Sequence, residues 1–242
     1  MPVRVRELSV FFPAFDEAPN VERTVTNALA TLRGLSLDRF EVIVVDDGSR
    51  DATPEIAERL AATEPEVRVV HHDGNQGYGA ALRSGFGAAT CPWVFFSDGD
   101  GQFDLAEIGG FLEAADTADV VVGYRIERAD HVGRKVNTFL WGQLVKLAFR
   151  IPVRDIDCAF KLLSRDVLDR IGPLTSSGAM ISTEMLARVR HARIPIVELG
   201  VHHYPRLAGS PTGASLRVIV RAFRELVVLR LRMWRAPRTR AT

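Results

Sequence analysis

Cysteine is nearly absent: Cys91 and Cys158 are the only two in 242 residues. Two thiols build no disulfide framework, which points to a reducing compartment. No run of eighteen uncharged apolar residues occurs, so no membrane-spanning helix is expected. The opening Met1-Pro2-Val3-Arg4-Val5-Arg6-Glu7 lacks the apolar core of a signal peptide. Internal repeats, low-complexity segments and long linkers are missing too, leaving a single domain as the default. No histidine pair has metal-site spacing. His71-His72 and His202-His203 are adjacent, and neighbours on a strand point to opposite faces. All four read as structural or surface residues, with His202 or His203 beside a cleft as the second reading.

What is present is ordinary for a globular protein: 47% apolar and 25% charged residues, with a net charge of +1. The charge is unevenly spread. Residues 214–242 hold eight arginines against Glu225, a local +7, which leaves −6 for the rest.

The first half alternates. Residues 8–12, 41–45, 67–70, 93–97 and 119–122 read as strands. Residues 17–33, 54–62, 77–89 and 104–115 read as the helices between them. Continuous apolar strands in β-α units predict a mostly parallel sheet, flanked by helices and buried on both faces. Such sheets bind ligands at the carboxyl ends of their strands, where the polar motifs of this half fall. Further on, residues 133–149 and 180–191 read as helices, 196–201 as a strand and 204–213 as a loop.

Ser97-Asp98-Gly99-Asp100-Gly101-Gln102 follows the apolar Trp93–Phe96 run. Two carboxylates at i and i+2 beyond a buried strand form a site for a hard cation, Mg²⁺ or Mn²⁺, carrying a substrate diphosphate. A turn with a cap would use the same residues. Asp16, in Pro13-Ala14-Phe15-Asp16-Glu17, reads as the cap of the following helix. In Asp46-Asp47-Gly48-Ser49, one aspartate is free to face a cleft while the other braces. Asn75-Gln76-Gly77-Tyr78-Gly79 is no dinucleotide fingerprint, since Leu82 stands at the third glycine position. Its small residues Gly79, Ala80, Ala81, Gly85 and Gly87 predict close packing of a helix on the sheet.

In this order, P-A-F-D-E, V-V-D-D-G-S-R-D-A-T, N-Q-G-Y-G-A-A-L-R-S-G and S-D-G-D-G-Q-F-D resemble family 2 glycosyltransferases of the GT-A fold. Within them the chain looks like the polyprenyl-phosphate sugar transferases. The resemblance runs from about Leu8 to Gly213. It implies an α/β GT-A domain over 1–213, with a basic amphipathic helix and tail over 214–242. It implies an inverting, metal-dependent transfer from a UDP-, GDP- or dTDP-linked sugar. Asp98, Asp100 and Gln102 would hold Mg²⁺ or Mn²⁺ and the diphosphate, with Gly99 contributing backbone. Pro13, Phe15, Glu17, Asp46 and Asp47 would meet the nucleoside, Phe15 standing where the family has Tyr. Arg125 and Arg206 would bind phosphate groups, and Arg134 and Lys135 would serve the acceptor phosphate. The segment Asp155–Lys161 resembles the family's D-x-x-C-G-F-R/K. Pro211-Thr212 replaces the family's Ser-Lys after Gly209.

Two acceptors stay open. A polyprenyl phosphate is already ionised and needs no base. A soluble hydroxyl acceptor needs one, and Glu184 and Asp157 are the candidates. Glu184 could instead pair with Arg188 at i+4. A non-catalytic nucleotide-sugar-binding module is a third reading, opposed by the intact D-x-D-x-Q. On a helical wheel, Arg217, Arg221, Arg224, Arg232 and Arg235 oppose a broad apolar face over residues 214–235. That pattern fits peripheral contact with the inner face of a membrane. It equally fits packing on the domain or on a second copy in a homo-oligomer. No aromatic-basic platform for nucleic acid accompanies it. The expected location is cytoplasmic, peripheral at the membrane if the helix docks there.

Overall fold

A computed structural model describes residues 4–126, 145, 148–206 and 226–231. Seven strands form one sheet in the order β3-β2-β1-β4-β6-β5-β7. They are β1 (Glu7–Ala14), β2 (Arg39–Asp46), β3 (Val67–His71), β4 (Trp93–Ser97), β5 (Val120–Arg125), β6 (Phe160–Ser164) and β7 (Val197–Val201). All pairings are parallel except those of β6, which runs antiparallel to both β4 and β5. The helices are α1 (Ala18–Arg33), α2 (Thr53–Thr63), α3 (Tyr78–Ala88), α4 (Ile108–Ala114), α5 (Arg165–Ile171) and α6 (Met180–His191).

The apolar strands β1, β2, β4, β5 and β6 are buried on both faces over most of their length, as their sequence runs require, whereas the edge strands β3 and β7 are partly exposed. Phe95, Phe111 and Phe160 pack edge to face, with centroids 4.6–6.0 Å apart. Helix α3 lies tight on the sheet. A Cβ on Gly85 would come within 2.2 Å of the Phe11 ring, and one on Gly79 within 2.3 Å of the Ser176 carbonyl. Gly87 faces open space, so it has no part in that packing. Gly85→Ala should therefore cost about 1–3 kcal/mol through overpacking, seen as a lowered thermal midpoint, whereas Gly87→Ala should not destabilise.

Several sequence expectations need adjusting. The helix expected over 104–115 is a 3₁₀ turn, Leu105–Glu107, followed by α4. Strand β6 and helix α5 were not anticipated. A lysine interrupts the apolar run of β6, and Ser164, whose hydroxyl accepts from Val167 N, starts α5 immediately. Asp16 does not cap α1. It has φ +54°, and its carboxylate accepts from Arg50 N at 2.7 Å. The first turn of α1 is served from the next loop instead: Ala18 N donates to Asp51 and Glu17 N to Thr53. The first two strand-end loops are thus stitched together.

Of the expected 133–149 helix, residues 145, 148 and 149 are helical and the rest lies outside the described residues. So do Arg134, Lys135 and most of the 214–235 segment. Residues 226–231 are helical, with Leu229 in the core and Val227, Val228 and Leu231 exposed. Among the described residues, no helix is long and apolar enough to cross a membrane.

Candidate active site

The carboxyl ends of β1, β2, β4 and β5 open on one edge of the sheet, and the predicted residues gather there. Asp98 and Asp100 follow β4 directly. Their loop approaches β1 closely: a Cβ on Gly99 would stand 2.8 Å from the Pro13 carbonyl. Gly101 has φ +69°, which favours glycine. Thr24 of α1 donates to the Gly99 carbonyl at 3.2 Å and holds the loop from below.

Asp100 accepts from Gln102 N at 3.1 Å and from Arg206 Nη2 at 2.7 Å. Arg206 Nη1 also reaches Glu17 at 3.1 Å. The segment carrying Arg206 is docked by Gln102, whose amide donates to the Tyr204 carbonyl at 2.8 Å while Tyr204 N donates to the Gln102 carbonyl. Asp100 and Arg206, 106 residues apart in sequence, therefore share one cluster. Burial raises Glu17 above the ordinary carboxylate range despite its bonds to Asn20 and Arg206.

Tyr78 was not singled out from the sequence. Its hydroxyl donates to Asp98 at 3.1 Å. The placement starts at Asp47, which accepts from Gln76 N and Gly77 N at 2.9 and 2.8 Å and so fixes the turn that begins α3. His72, against Asp47 at 2.6 Å, and His71, against Asp46 at 3.0 Å, brace the two aspartates. Asp46 also accepts from Ser49 N. Both aspartates are buried, so both brace, where the sequence left one free to face the cleft. The histidines have the structural role expected of them. His202 likewise lies against Glu107, and His203 packs on the Phe103 ring.

Arg125 ends β5 with a bidentate pair to Asp155, at 2.7 and 2.9 Å. Phe15 is half-buried, and Asp157 is exposed on the turn after Asp155. Glu184 is 0% exposed on α6. It accepts from Thr175 N, Thr175 Oγ1, Ser176 N and Arg188 Nη2, at 2.6–3.0 Å. Four donors fill the four acceptor positions of a carboxylate. Of the two readings open for Glu184, the pairing with Arg188 is the one present.

The fit to a divalent cation rests on charge. Burial, then the Asp100 carboxylate, pushes Asp98 up to about 7. Two hard oxygen donors that repel one another are relieved by a cation, and the Arg206 guanidinium already lies against one of them. No cluster of three metal-ligating side chains exists among the described residues, so water and substrate oxygens would complete the coordination shell. Because Asp98 must shed its proton, Mn²⁺ affinity should rise as the pH climbs from 6 to 8. Proton release per ion should be close to one at pH 6 and fall toward none by pH 8, measurable by calorimetry in buffers of different ionisation heat. Affinity flat over that range would contradict the charge argument.

A mostly parallel sheet with one reversed strand, carrying D-x-D at a strand end against an arginine from the far side of the chain, has the architecture of GT-A glycosyltransferases. Comparison with known proteins agrees. The family model described as "Glycosyl transferase family 2" matches residues 9–172. The chain belongs to glycosyl transferase family 2. It is 35% identical over 208 residues to glycosyltransferase AglD of Haloferax volcanii, an alignment covering 83% of this chain and 33% of that one. It is 25% identical to the dolichyl-phosphate beta-glucosyltransferase of Saccharomyces cerevisiae, covering 93% and 74%. With the dodecaprenyl-phosphate galacturonate synthase of Rhizobium johnstonii the identity is 28%, covering 94% and 67%. The chain thus spans a third of the archaeal relative. Among solved structures, the fold is similar to glucosyl-3-phosphoglycerate synthase of Mycobacterium tuberculosis, bound to Mn²⁺, UDP and glucosyl-3-phosphoglycerate. The TM-score is 0.72 at 21% identity, covering 96% of this chain and 81% of that one.

Proposed function

We propose that the protein transfers a sugar, with inversion, from a nucleotide-sugar donor to polyprenyl phosphate. The observation that carries this reading is the state of Glu184: buried, with every acceptor position filled. Such a carboxylate cannot take a proton from a hydroxyl without breaking its own bonds. An acceptor that arrives ionised needs no such step. A phosphate oxygen of the acceptor forms a bond to the anomeric carbon. The bond from that carbon to the donor diphosphate breaks, and the nucleoside diphosphate leaves with the electron pair. The names of the yeast and Rhizobium relatives, both lipid-phosphate enzymes, support the same acceptor.

A divalent ion on Asp98 and Asp100 would supply positive charge at the departing diphosphate. Tyr78 holds the Asp98 carboxylate in place. Arg206 leaves Asp100 for the donor or acceptor phosphate, and Arg125 adds a second guanidinium, oriented by Asp155. Pro13, Phe15 and Glu17 line the nucleoside side, and Asp46 and Asp47 act through the loops they hold. The exposed Val227, Val228 and Leu231, at 53, 38 and 45%, sit in the arginine-rich segment. They suit contact with an anionic membrane surface where the lipid acceptor resides.

The second reading, a soluble hydroxyl acceptor, is favoured by Pro211-Thr212 in place of Ser-Lys and by the exposure of Asp157, its candidate base. The test is a panel of UDP-, GDP- and dTDP-sugars with Mn²⁺ and undecaprenyl phosphate, read by mass spectrometry. A glycosyl phospholipid is expected. No lipid product from any donor, alongside transfer to a hydroxyl compound, would replace the first reading by the second.

A further inference from the structure

Lys161 lies in the middle of β6, and its side chain is 0% exposed. Lysine is almost never fully buried without a partner, and no carboxylate among the described residues is within ion-pair distance. Its Nζ donates instead to two backbone carbonyls, Ile156 at 3.1 Å and Cys158. It also lies 5.5 Å from the centre of the Phe96 ring.

Its position in the sheet gives this arrangement meaning. Lys161 is in register with Phe96 on β4 and with Val122 on β5. Phe96 is two residues before Asp98, and Val122 is three before Arg125. The ammonium therefore stands between the strand that ends in the D-x-D and the strand that ends in the arginine. The carbonyls it holds flank Asp157, in the turn that follows Asp155. Asp155 in turn grips Arg125 through two bonds.

We propose that Lys161 is a positioning residue for the transfer step: it pins the 155–158 turn so that Asp155 holds the Arg125 guanidinium toward the departing diphosphate. The role rests on the glycosyl-transfer reading but only on its leaving-group side. An apolar residue in this place would fill the space without the cost of burying a charge. It would also leave two turn carbonyls unbonded and loosen the turn that carries Asp155. Cys158, buried with its thiol pushed up to about 12 by desolvation, is inert packing beside it.

The test compares Lys161→Met, Lys161→Arg, Asp155→Asn and the Lys161→Met/Asp155→Asn double variant. Release of nucleoside diphosphate is followed with undecaprenyl phosphate and, separately, without acceptor. The second assay reads donor cleavage alone, so its result stands even if lipid phosphate is not the acceptor. Lys161→Met should lower kcat in both assays by roughly 100-fold, the scale of a 1 Å misplacement, with donor KM within about threefold. Lys161→Arg should recover part of the loss. The double variant should be no worse than Asp155→Asn, because both changes act through one guanidinium. Losses that multiply, an unchanged kcat, or a change confined to KM would overturn the role. If Lys161→Met does not fold, Lys161→Gln, which keeps a donor for one carbonyl, is judged by the same criteria.

Discussion

Asp100→Asn is expected to lower kcat for transfer by about 10²–10³-fold while leaving the protein folded. The magnitude is that of removing one preorganised group that stabilises charge developing in the transition state. The substitution takes away one of two hard ligands beside the diphosphate, and with it the partner of Arg206 Nη2. Stability should change little, for two opposing reasons. Arg206 keeps Glu17 and partial solvent access, while Asp98 and Glu17 lose a repelling neighbour. The measurement is kcat with a fixed donor alongside Mn²⁺ affinity in the presence of the nucleoside diphosphate. Both should fall together. A variant with wild-type kcat and lost Mn²⁺ affinity would uncouple the ion from catalysis.

Glu184→Ala has the largest expected effect on stability, a loss of about 3–5 kcal/mol, as for removing one partner of a buried ion pair. It would leave the amides of Thr175 and Ser176 and the Arg188 guanidinium without their acceptor. For a chain of this size the thermal midpoint should drop by roughly 10 °C. The loop in question packs on α3, where Gly79 N donates to the Ser177 carbonyl, so its release would loosen the helix that carries Tyr78. Glu184→Gln is the sharper variant. It should also destabilise, because an amide NH₂ faces donors, yet the folded fraction should keep kcat within about fivefold. A folded Glu184→Gln protein with kcat down 100-fold or more would restore the general-base role.

The brace also has a pH signature. Burial alone would raise Glu184, but the bonds from Ser176 and Thr175 and the Arg188 charge outweigh it and hold the carboxyl below its ordinary 4.5. Its contribution to stability is therefore complete above about pH 4.5 and is lost as the pH falls through the lowered value.

The parallel half of the sheet was legible because its strands are unbroken apolar runs and its helices have apolar stripes. Helix α6, expected over 180–191, is Met180–His191. The D-x-D was legible for a related reason, since a carboxylate pair just past such a run has few places to go. Strand β6 was not, because Lys161 disguises it and antiparallel insertion leaves no β-α rhythm to read. Side-chain partners were the least visible. Asp16 reads as a cap because capping is the local option; its partner in the structure, Arg50 N, is 34 residues away. Tyr78 was not legible, because nothing near it in sequence points to Asp98, which is 20 positions on. Glu184 showed its i+4 partner, but not Thr175 and Ser176, which turn a surface pair into a buried brace.

The central claim, a leaving-group site without a general base, is tested most directly by offering the protein the same lipid in two forms. With its best donor and Mn²⁺, it should glycosylate undecaprenyl phosphate and leave undecaprenol untouched. At saturating Mn²⁺, which holds Asp98 ionised, the rate between pH 7 and 9 should show no rise attributable to deprotonation of a carboxylic acid. Comparable transfer to undecaprenol, or a preference for it, would mean that a side chain removes the acceptor proton and that the base-free account is wrong.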